Sequence, residues 1–80
     1  MSRYSMHITD VLDYFIGDLA DIIDYDLKGD KLTVDYCIDG ETVQKRTITN
    51  REIEKEFMCS DVVWKYDNNN SLDRVSYARG

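Results

Sequence analysis

The sequence has no proline, a single histidine and only two cysteines. It has no apolar run of the length, about 20 residues, that a membrane-spanning helix needs. Two cysteines, Cys37 and Cys59, with one histidine, His7, and no C-x-x-C pair cannot supply the four ligands of a structural zinc site. His7 has no Ser or Cys beside it in a nucleophile motif, which leaves it a surface or helix-start residue. The first residues meet charge before any apolar stretch and carry no cleavage pattern, so they do not read as a signal peptide. Free cysteines then fit a reducing, cytoplasmic setting better than a disulfide framework. The triplet Asn69-Asn70-Ser71 matches the glycosylation pattern but has no secretory context. The most telling absence is local. No Lys or Arg occurs between Tyr4 and Leu27, a segment that holds six Asp.

Eighty residues with 42% hydrophobic content suffice for one small domain, 1–80, with one core. A domain of this size buries roughly 60–65% of its unfolded surface and is marginally stable. The net charge is −6 and the pI is near 4.5. Phosphates and anionic lipid surfaces are bound by Lys and Arg, so this balance argues against direct contact with nucleic acid or membrane. It favours basic proteins or cations as partners. Outside the Asp-rich segment, acids and bases are equal in number, ten of each.

Ile8–Leu27 splits into two halves at 3.6 residues per turn. Ile8, Val11, Leu12, Phe15, Ile16, Leu19, Ala20, Ile22, Ile23 and Leu27 fall on one side, and Asp10, Asp13, Asp18, Asp21 and Asp24, with Tyr14, Gly17 and Tyr25, on the other. This predicts one long amphipathic helix, capped at Ser5 or Thr9 and stopped at Gly29. Met1–His7 reads as a flexible arm. Lys31–Ile38 alternates apolar and polar residues and reads as a half-buried strand, followed by an Asp39-Gly40 hairpin turn and a return strand Glu41–Thr49. Val43 and Ile48 are oddly spaced in that return, which implies either a bulge or an edge strand guarded by charge. Thr49 and Glu52 form a capping box for a short helix with Ile53, Phe57 and Met58 on its buried side. Val62–Tyr66 is β-branched and aromatic and reads as a strand, with continuation of the helix to Trp64 as the alternative. Leu72–Tyr77 reads as a weaker closing strand before a frayed tail, 78–80. The expected fold is α+β in the order α-β-β-α-β-β, with the long helix packed on an antiparallel sheet.

The Asp face is the candidate binding site: Asp10, Asp13, Tyr14, Asp18, Asp21, Asp24 and Tyr25. Charged helix faces are ordinarily just solvated, but this one departs from habit. Surface helices gain from i,i+4 ion pairs, and this segment has none. Asp is a poorer helix former than Glu, yet every acid here is Asp. Laid on a helix, Asp10 to Asp24 would span roughly 21 Å, enough to enter a groove shaped for a nucleic-acid backbone. Tyrosines beside carboxylates suit an interface. A calcium loop is a near miss. Asp24, Asp26 and Gly29 match its spacing, but Lys28 stands where an oxygen ligand belongs, and Asp35 replaces the bidentate Glu. Neither a cofactor nor a metal is expected. An open carboxylate stripe also lacks the burial that tunes a catalytic acid, so no enzyme is expected.

The expectation is a binding protein that presents its acidic face to a basic, nucleic-acid-binding surface of another protein and blocks it. In size, acidity and lack of catalytic motifs the chain resembles the small inhibitors that phages direct against host nucleases and defence complexes. No motif carries that likeness, so it assigns no residue a role. The alternative is a structural module that pairs with a second copy, as a homodimer, or with a larger assembly. Salt separates the two, because charge recognition weakens with ionic strength and apolar assembly does not.

Overall fold

The computed structural model describes residues 2–80. The elements are β1 (Ser2–His7), α1 (Ile8–Phe15), β2 (Asp21–Lys28), β3 (Lys31–Cys37), β4 (Val43–Thr49), α2 (Asn50–Phe57), β5 (Ser60–Tyr66) and β6 (Leu72–Arg79). They form two antiparallel three-stranded sheets, one ordered β1-β6-β5 and the other β2-β3-β4. The protein is mostly β, and the α-β-β-α-β-β fold with a long N-terminal helix is overturned.

The helix expected over Ile8–Leu27 stops at Phe15, after eight residues. Its last turn closes through Ile16 N–H donating to Leu12 O and Gly17 N–H to Asp13 O, and the chain then leaves the helix at Gly17, where φ is +116°. Arg46, on β4, holds the exposed end by donating from Nη1 to the Phe15 carbonyl at 2.8 Å. A cation there also suits the negative end of the helix dipole. At its start, α1 is preceded by His7, which gives no side-chain cap; Ser5 belongs to β1 and Thr9 lies inside the helix.

Asp21–Lys28 is a strand because its alternation is real but interrupted. Ile22, Tyr25 and Leu27 pair with Tyr36, Val34 and Leu32, while Asp21, Asp24 and Asp26 pair with Cys37, Asp35 and Thr33. One extra residue, Ile23, is accommodated as a bulge between Ile22 and Asp24. That insertion converts a period of two into a spacing that imitates a helix. Gly29, expected to stop a helix, sits in the two-residue turn of the β2–β3 hairpin with φ +65°.

The other elements follow the sequence more closely. β3 is half-buried with Leu32 and Val34 inside. The loop to β4 is longer than a two-residue turn, since Cys37 pairs with Val43. It is held by Asp39, whose carboxylate accepts from the Glu41 and Thr42 amides at 2.9 and 2.8 Å. β4 is an edge strand with continuous register against β3, so the odd Val43–Ile48 spacing reflects a charged edge rather than a bulge. Thr49 caps α2 by accepting from Glu52 N–H at 3.1 Å, while the Glu52 carboxylate pairs with Arg46 at 3.0 Å instead of reaching back. Met58 is not on the buried side of α2; it terminates the helix in the left-handed region and is exposed. Val62–Tyr66 is strand, within β5, and Trp64 Nε1–H donates to Asn50 Oδ1.

Ser2–His7 and Leu72–Arg79 are strands of one sheet. The expected arm is β1, which pairs along its length with β6 from Ser2↔Arg79 to His7↔Arg74. The expected weak closing strand, with Ala78 and Arg79 of the expected frayed tail, forms the central strand of that sheet, buried at Leu72, Val75, Ser76, Tyr77 and Ala78. One apolar cluster joins everything: Ile8, Val11 and Leu12 of α1, Leu32 and Val34 of β3, Ile48 of β4, Ile53 of α2, and Leu72 and Val75 of β6. No helix among the described residues is long and apolar enough to cross a membrane.

Candidate functional site

The seven residues expected on one helix face are distributed over three kinds of structure. Asp10, Asp13 and Tyr14 lie on the outer side of α1, Asp18 in the following turn, and Asp21, Asp24 and Tyr25 on β2. All five aspartates are exposed. None of them lies within salt-bridge distance of a cation among the described residues, whereas Arg3, Lys28, Lys45, Arg46 and Arg74 each pair with an acid elsewhere. A helical rod of carboxylates is replaced by an acidic band that follows the chain from helix to turn to strand.

The two tyrosines leave the exposed set to different degrees. Tyr25 pairs with Val34 and packs half-buried against the core. Tyr14 remains about half exposed, but its hydroxyl donates to Glu56 Oε1 at 2.7 Å, and its ring lies 4.9 Å from that of Phe57. It therefore ties α1 to α2. The carboxylate acceptor holds the phenol pKa above its ordinary value.

The near miss to a calcium loop is a hairpin. Asp24 and Asp35 are cross-strand partners, so two carboxylates stand opposite each other, an arrangement that repels. Lys45, the partner of Asp35 on the other side, lies 3.9 Å from it. Gln44 and Arg46, either side of Lys45, pair with Tyr36 and Val34 on the inner side, and Arg46 uses its position to reach Phe15 and Glu52. No group of three or more His, Cys, Asp or Glu side chains capable of holding a metal occurs among the described residues. Cys37 is buried, and Cys59 is partly covered, which pushes its thiol pKa up.

The expected helix would put Leu19 and Ile23 on its apolar half, and the expected half-buried strand would put Ile38 on its apolar face. All three are more than half exposed, and so is Val43. A signal was available for Ile23 alone, the Ile22-Ile23 doublet: within an alternating strand, two adjacent apolar residues force either a bulge or an exposed side chain.

No family model matches the chain, and neither a curated protein nor a solved structure matches it.

Proposed function

We propose that this protein binds, without chemistry, a basic surface of another protein, one that ordinarily holds nucleic acid, and blocks it. The observation that supports this reading is the run of five exposed aspartates, Asp10 to Asp24, with no cation within salt-bridge distance among the described residues. Unpaired like charges in a small domain oppose folding through self-repulsion, and binding sites are where such costs are retained. A complementary positive surface gains from every one of them, in rate of encounter above all. The band is irregular rather than rod-like, so it suits a basic surface by charge and not by imitation of helical geometry.

The test is competition. A labelled DNA duplex is bound to each of a panel of basic DNA-binding domains, and its displacement is followed by fluorescence anisotropy. The parent protein should displace DNA from at least one domain, and displacement should weaken as salt rises from about 50 to about 300 mM, where charge attraction is screened. The triple substitution Asp13→Asn, Asp18→Asn, Asp21→Asn should lose most of the effect. Failure to displace DNA from any domain, or equal displacement by the triple variant, would count against the reading.

A further inference from the structure

We infer that the basic partner docks on the free end of the β2-β3-β4 sheet, placing apolar side chains of its own against Leu19, Ile23, Ile38 and Val43 while its cations meet the carboxylates around them. This inference rests on the charge-recognition reading above and specifies where on the protein it operates. Asp21, Cys37 and Val43 form one cross-strand row. Ile38 follows Cys37 directly, Ile23 is the bulged residue two positions beyond Asp21, and Leu19 lies two positions before it. Two residues of strand cover about 7 Å, so Ile23 and Ile38 lie within that distance of the row along the chain, Val43 is in it, and Leu19 is in the turn that leads into it. Leu19 is 86% exposed, and the other three are each more than half exposed. Small soluble domains rarely leave large aliphatics clustered in water unless something covers them.

The surrounding charge says what kind of molecule does so. Asp18, Asp21, Asp24, Asp39 and Glu41 lie within the same two segments, 17–24 and 36–44, and neither segment contains a Lys or Arg. None of the five forms an ion pair among the described residues. Asp39 is further fixed by its two loop amides, which keep it ionised. A second copy docking through this face would bring two acidic rims together, and nucleic acid or an anionic membrane would be repelled. A cationic protein surface with apolar side chains among its Lys and Arg complements both parts, the apolar centre excluding water and the charged rim setting approach and register.

The experiment uses two cationic peptides of equal length and net charge, one alternating Lys with Leu and the other Lys with Ser. Each is titrated into the isotope-labelled protein at low salt, with amide shifts followed by NMR. The Lys–Leu peptide should bind about tenfold tighter or better, since burial of even one further aliphatic side chain is worth that much. Its shifts should concentrate in 17–24 and 36–44. The double substitution Ile23→Thr, Val43→Thr should abolish the preference while leaving Lys–Ser binding unchanged. Leu19→Ser, in a turn, provides a second variant that leaves every strand intact. Equal affinities for the two peptides, or a preference that survives both variants, would overturn the inference and leave charge recognition standing. Absence of binding by either peptide would overturn both. Self-association of the parent that Ile23→Thr, Val43→Thr dissolves would also overturn it, in favour of a second copy.

Discussion

Replacing Arg46 by Met removes three interactions while keeping an apolar stem in place. The guanidinium donates to the Phe15 carbonyl at 2.8 Å, pairs with Glu52 at 3.0 Å, and lies 5.7 Å from the centre of the Phe15 ring. It thus links the end of α1, the β4 edge and the first turn of α2. Arg46 and Glu52 are each 37% exposed, so the ion pair is screened and contributes at most about 1 kcal/mol. The bond to the helix-terminal carbonyl is worth about 1 kcal/mol, and the cation over the ring about 0.5 kcal/mol. The total, about 2 kcal/mol, corresponds to a fall in melting temperature of about 8–16 °C for a domain of this length. Arg46→Lys should recover part of the loss, because an ammonium can satisfy one partner but not the fork. Glu52→Gln should cost less than Arg46→Met, since one contact of three is weakened. Thermal melts of the four proteins by circular dichroism measure this directly. A loss for Arg46→Met below about 0.5 kcal/mol, the scatter of an ordinary surface change, would refute the idea that this side chain fixes the end of α1.

Thr49→Ala should destabilise the protein by about 1 kcal/mol, and Thr49→Ser should restore most of it, because only the hydroxyl is needed to accept from Glu52 N–H. The Asp39 carboxylate is held below its ordinary pKa by the Thr42 and Glu41 amides, so its contribution is present above about pH 4 and is lost as pH falls through the lower, folded-state value. Asp39→Asn can still accept both amides and should flatten that acid limb in melts taken across pH. Tyr14 has the opposite sign: its raised pKa gives stability that is present below about pH 10 and lost above it. Ultraviolet titration should find one tyrosine ionising late in the parent and earlier in Glu56→Gln.

The parts of the fold legible in the sequence were those whose local pattern and tertiary environment agree. Lys31–Cys37 alternates without interruption and is a strand, and Thr49 followed by Glu52 begins a helix. Ile8–Leu27 was misread because two features lie hidden in one periodicity. Its first eight residues do form an amphipathic helix, but Gly17 and a guanidinium from β4 end it, and the second depends on a contact thirty-one residues away. From Asp21 on it alternates, but the Ile23 bulge shifts the later residues by one, so that the aspartates recur at helical spacing. The Gly29-Asp30 pair between Lys28 and Lys31 was the available hairpin signal. β1 and the full length of β6 escaped notice because their pairing joins the two ends of the chain, which no local pattern records. For the candidate site, the exposure of the aspartates followed from composition. The inward turn of Tyr25 followed only from register, and the exposure of Leu19 only from its place in the turn before β2.

Where the negative charge sits, rather than how much there is, can be measured by neutralising acids in two places. The triple variant Asp13→Asn, Asp18→Asn, Asp21→Asn and a control, Asp30→Asn, Glu54→Gln, Asp73→Asn, both change the net charge from −6 to −3, since each removes three acids. In DNA displacement from a basic domain at about 50 mM salt, where screening is weak, the first should lose most of its activity and the control should retain it. Equal loss in the two variants would mean that the protein acts through its overall charge and that the Asp10–Asp24 band is not a site.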